Sequence, residues 1–146
     1  MSRSVAIALT VAAGLLVGMQ AAANSALSDR VGDFGAAFVS VTVAFAIISL
    51  LLVTVGHPGR LAHIGSVRPA VLLGGVGGAA VITVGLIAVR TLGAGAVIAL
   101  LVAAQLVVGL LIDRFGWFGL EHVAIGPTRL LGLALVIAGT VLVTRT

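Results

Sequence analysis

Five apolar stretches, each about long enough to cross a bilayer, fill nearly all of this 146-residue chain, at roughly 5–25, 34–55, 69–89, 93–112 and 129–144. A helix rises ~1.5 Å per residue, so about 20 residues match a ~30 Å hydrocarbon layer. Backbone polar groups find no water in that layer, and helices satisfy their own. The pattern therefore predicts an all-α polytopic membrane protein, one membrane domain of five transmembrane helices with its two ends on opposite sides. The lipid bilayer is its first partner.

Composition points the same way. The chain is 61% hydrophobic and 8% charged, with a mean hydropathy of +1.34, well outside the range of water-soluble domains. Cysteine is absent, which excludes disulfides and thiolate metal sites. All eight basic residues are Arg, giving a net charge of +4. They stand singly between apolar runs instead of forming a patch, so they read as topology signals and not as a nucleic-acid surface.

The punctuation between spans is short. Ser28-Asp29-Arg30-Val31-Gly32-Asp33 separates the first span from the second. Gly56 to Arg68 forms the longest polar connection, and Pro69 suits a helix's first turn, where a missing N–H costs little. Arg90-Thr91 is expected to make a tight hairpin, and Pro127 to open the fifth helix. In the aromatic-glycine run after Asp113-Arg114, Trp117 suits the headgroup depth.

Arg3, Arg60, Arg68, Arg114 and Arg129 fall on one side of the membrane, and Arg30, Arg90 and Arg145 on the other. The positive-inside rule then places the amino terminus in the cytoplasm. The bias is small enough for a single sequence to insert both ways. Arg3, an apolar core and Ala21-Ala22-Ala23 before Asn24 also fit a cleaved secretory leader. Gly14 and Gly18 at GxxxG spacing, together with two amides, argue for a retained helix.

Polar groups within a span are expensive and invite a functional question. Gln20 and Asn24 lie four apart and share a helix face with Thr10, Ala13 and Val17. They serve either as interhelical hydrogen bonds or as a substrate-facing pair, with a capping or packing role the simpler one for Asn24. Gln105 is the deepest amide, near the centre of the fourth span, and the same two readings apply. By helix rise, Gln20 lies ~7 Å to the outer side of the midplane and Gln105 ~4 Å to the inner side. Inverting a second copy brings its Gln105 to within ~4 Å of the first copy's Gln20 in height. An antiparallel dimer would thus gather four amides near the midplane.

The third span carries Gly74, Gly75, Gly77, Gly78 and Gly85. In a bilayer such residues permit close helix packing, or else a hinge that presents backbone groups to a substrate. Thr83, Ser40, Thr42 and Ser49 can each bond the carbonyl one turn back. No Asp, Glu, His or Lys occupies the middle of a span, which argues against proton exchange at an intramembrane carboxylate. Asp113 and Arg114 form an interfacial pair at a helix end. Arg90 ends the third helix, either snorkelling to headgroups or binding an anionic substrate. His57, His63 and His122 are too scattered for a metal site, and no cofactor motif or nucleophile–base constellation points to an enzyme.

Two segments resemble a known family. Gly18-Met19-Gln20-Ala21-Ala22-Ala23-Asn24 with Ala26-Leu27 is similar to the first helix of the five-helix YdcZ-like branch of the drug/metabolite transporter superfamily. So is Arg90-Thr91-Leu92-Gly93-Ala94, leading through Ala104-Gln105-Leu106 to Leu111-Ile112-Asp113-Arg114-Phe115-Gly116-Trp117-Phe118-Gly119. The resemblance implies a small bacterial inner-membrane transporter, half of an inverted-repeat architecture that two copies complete. It makes Gln20, Asn24 and Gln105 the matching positions of interest. The related four-helix multidrug exporters carry a first-helix glutamate that this chain lacks.

The leading expectation is a secondary transporter for a small molecule, working as an antiparallel homodimer, or with a paired homologue, by alternating access. In that reading Gln20, Asn24 and Gln105 bind substrate; Gly14, Gly18, Gly74, Gly78 and Gly85 serve packing or hinge motion; and Arg90, Asp113, Arg114 and Trp117 anchor the interface. The alternative is a non-transporting scaffold or accessory subunit of a larger complex. A pore is disfavoured because no helix carries a long polar stripe.

Overall fold

The computed structural model describes residues 2–145 and is all-helical, with no strand among them. Five long helices follow in order: α1 (Arg3–Val31), α2 (Asp33–Thr54), α3 (Leu73–Leu92), α4 (Ala94–Phe115) and α5 (Pro127–Thr144). With the 3-10 turn Pro69–Leu72 added to α3, each is long and apolar enough to span a membrane. Their most apolar windows have mean hydropathies of 1.7 to 2.7, yet no more than 22% of any window is buried. An exterior this apolar is stable against lipid and not against water.

Two glycines set the joints. Gly32 (φ +76°) separates α1 from α2, and Gly93 (φ +78°) separates α3 from α4. Both lie in a backbone region that side chains with a Cβ avoid. The break expected at Arg90-Thr91 therefore falls at Gly93, since the helix continues through both residues to Leu92. At the first joint, α1 runs on to Val31, six residues past its expected end, because Gly32 is the first residue able to break it. The connection after α2 is wound into a 3-10 helix at Pro58–Ser66.

The chain forms two compact units, residues 1–87 and 88–146, with the division falling inside α3. In the first, Ala36 and Ala37 of α2 and Leu86 of α3 are buried, and Leu27 of α1 and Ile82 of α3 pack against them. Two alanines at the centre let the neighbouring helices approach closely. In the second, α4 and α5 lie side by side, burying Ala96, Val97 and Leu110. The Thr140 hydroxyl stitches this pair together, reaching both its own Val136 carbonyl (2.8 Å) and the Ala99 carbonyl on α4 (3.2 Å).

Candidate functional site

Because α1 and α2 form a hairpin about Gly32, residues equally far from that joint come to the same height. Asn24 and Ser40 are such a pair. Asn24 is buried, 8% exposed, and its Nδ2 donates to Ser40 Oγ at 3.1 Å. Gln20, one turn earlier on the same α1 face, donates from Nε2 to the same oxygen at 3.3 Å. One hydroxyl thus accepts two amides. Gln20 and Asn24 meet as their spacing predicts, and their common partner is a residue whose sequence gives it no distinction from other intrahelical hydroxyls. Thr10, Thr42 and Thr54 do bond the carbonyl one turn back, each at 2.8 Å. Ser40 engages the amides across the hairpin.

A cleft of about 330 Å³ opens beside this cluster, lined by the three polar residues together with Leu27, Val39, Val43, Ala44 and Ile47. Its polar residues sit between Leu27 on one side and Ile47 on the other, with Val43 and Ala44 of α2 level with the amides. No ionisable side chain lines it.

Gln105 belongs to the other unit. It is exposed at the middle of α4 and makes no hydrogen bond with any described residue. Gly14, Gly74 and Gly78 are likewise exposed, and a Cβ added at any of them would meet no atom within 4 Å. Gly85 is buried but equally uncrowded. Gly18 is partly buried on α1.

Of the residues expected at the membrane surface, Asp113, Arg114 and Trp117 form a compact corner after α4. Asp113 pairs with Arg129 of α5 (Nη1 to Oδ2, 3.0 Å) and not with its neighbour Arg114, since adjacent helix positions do not face each other. Gly116 (φ +63°) ends α4, and the chain folds back so that Val123 N–H donates to the Asp113 carbonyl at 2.9 Å. His122 Nδ1 lies 3.2 Å from the Arg114 carbonyl, and its ring occupies the space a Cβ on Gly116 would need. Trp117 stacks on Phe115 with ring centroids 5.7 Å apart. Arg90, exposed in the last turn of α3, is held by a contact of its own. Among the described residues no three His, Asp or Glu converge as metal ligands would.

Five helices long and apolar enough to span a bilayer, with few buried side chains between them, define a multi-pass membrane protein. Residues 5–142 match the family model described as "Putative inner membrane exporter, YdcZ", and the chain belongs to that family. No curated protein and no solved structure gives a match. Membership makes the protein a multi-pass inner-membrane protein of a transport family, with the bilayer and a small molecule as its partners.

Proposed function

We propose that the chain is an exporter of small molecules that works as two copies in opposite orientation, alternating access to a site near the midplane. The observation that carries this reading is the contrast between its amides. Gln20 and Asn24 are gathered around Ser40 beside a cleft, while Gln105 stands exposed at mid-helix without a hydrogen bond to any described residue. An amide left facing hydrocarbon costs free energy, so Gln105 calls for a polar partner that its own unit does not provide among the described residues. A second copy, inverted, brings Gln105 to within ~4 Å of the first copy's Gln20 in height. The slight excess of arginines on one side supports insertion in both orientations, and in the majority orientation the amino terminus is cytoplasmic. Rocking of one bundle against the other then opens the cleft to each face in turn. Gly14, Gly74 and Gly78, uncrowded within the chain, supply faces on which a partner bundle can sit closely. Arg90, Asp113, Arg114 and Trp117 hold the helix ends at the headgroup level.

Two measurements test the proposal. The chain has no cysteine, so Gln20→Cys and Gln105→Cys introduced on separate copies supply the only thiols that can be joined. A short bis-maleimide should join them in membranes, whereas cross-linked pairs found solely between like positions would overturn the inverted arrangement. For transport, untargeted profiling of the medium around cells producing the chain should reveal at least one small molecule enriched outside. Gln105→Leu, at equal membrane abundance, should lose that enrichment. No enriched molecule in either case would favour a scaffold instead.

A further inference from the structure

The cleft between α1 and α2 also defines what kind of molecule fits it, an inference that rests on the transport reading and narrows it. Both amides spend an N–H on Ser40 Oγ, and neither amide carbonyl oxygen has a hydrogen bond among the described residues. The conclusion does not depend on which way each amide is turned. Ser40 has one proton and can donate to only one amide oxygen, so the other amide must donate to Ser40 and leave its own carbonyl open. At least one hydrogen-bond acceptor therefore always faces the cleft.

Charge decides the rest. Each amide NH2 keeps a second N–H beside that acceptor, so the cleft can also donate, but a carboxylate or phosphate would meet no balancing cation. An ammonium would find the acceptors but no anion, because the walls carry no ionisable group. Either ion would surrender its hydration for neutral dipoles alone, a poor exchange. A neutral hydroxyl or amide N–H gives up little water and gains the open acceptor. Beside the amides the wall is Val43 and Ala44, and Ile47 carries it past the level of Gln20. From Ser40 to Ile47 it extends ~10 Å along α2, enough to cover a short apolar chain.

We infer that this cleft binds an uncharged small amphiphile, its hydrogen-bond donor seated on Gln20 and Asn24 and its apolar chain laid along Val43 to Ile47.

Photolabelling of the full chain in lipid nanodiscs tests this. The probe is a medium-chain primary alcohol with a diazirine near its far end, set against a carboxylate and an ammonium of the same chain. The alcohol should label the 43–47 segment of α2 about fivefold more than either ion does, relative to label on α5. Excess octanol should displace it. Gln20→Leu should weaken that labelling about threefold, and Ala44→Leu should block it by filling the wall while leaving the amides in place. Labelling that concentrates in the cleft regardless of probe charge would overturn the substrate class and leave the transport reading standing. Label spread evenly over all five helices would remove the cleft as a binding site, whatever the export profile shows.

Discussion

Removing one oxygen atom at Ser40 would strand two amides at once. Each neutral hydrogen bond contributes about 0.5–1.5 kcal/mol, and in membrane proteins the average falls near 0.6 kcal/mol. Ser40→Ala should therefore cost about 1 kcal/mol in reversible unfolding from mixed micelles, and Ser40→Thr, which keeps the oxygen, much less. The cost should shrink to about half in an Asn24→Leu background, since one of the two stranded groups is then already gone. Equal costs in the two backgrounds would mean the hydroxyl is not shared. At this scale the sequence displays Gln20 and Asn24 plainly, because amides four residues apart in an apolar run have few roles. Ser40 is hidden among hydroxyls that look identical until the hairpin about Gly32 pairs it with Asn24. Asp113 is legible as an ion-pair member, yet its partner Arg129 depends on how α5 returns alongside α4.

Among the helices, the two glycine joints have a different standing from the glycines of α3. Gly32 and Gly93 combine positive φ with extended ψ, where a residue with a Cβ is strained by about 1–3 kcal/mol. Gly93→Val should destabilise by about that amount. Gly74→Ala and Gly78→Ala meet no neighbouring atom and replace a poor helix former with the best one. They should leave the single chain as stable or firmer by up to ~1 kcal/mol each, while lowering the yield of Gln20–Gln105 cross-links between copies. A fall in stability with cross-linking unchanged would show instead that these glycines matter inside the chain. The five spans are readable from length and hydropathy alone, since the bilayer fixes both. Where each one stops depends on which glycine yields first, and that is why α1 and α3 run past their expected ends.

For the molecule as a whole, lipid takes over the part that a large core plays in a soluble protein. Buried side chains are few, and the wide apolar exterior is what the membrane covers. With no titratable group on the cleft walls, binding of a neutral probe should stay constant between about pH 5 and about pH 8, the range in which histidine changes charge. A photolabelling yield that changed severalfold across that range would mean that an ionisable group controls the cleft from elsewhere in the assembly. The family and the five-helix plan were within reach of the sequence. The grouping of Gln20 and Asn24 on a single hydroxyl was not, because it depends on the pairing of two helices that no local pattern encodes.

Walls without charge also have an energetic corollary. Moving one elementary charge through a membrane at 100 mV involves ~2.3 kcal/mol, which is how voltage drives or blocks many carriers. A neutral solute passing a neutral cleft offers that voltage no handle, so where no ion moves with it, its own concentration difference drives the net flow. On the proposed reading, an exporter with no coupled ion would work as a relief valve, emptying a cell of surplus until the two sides are equal and going no further.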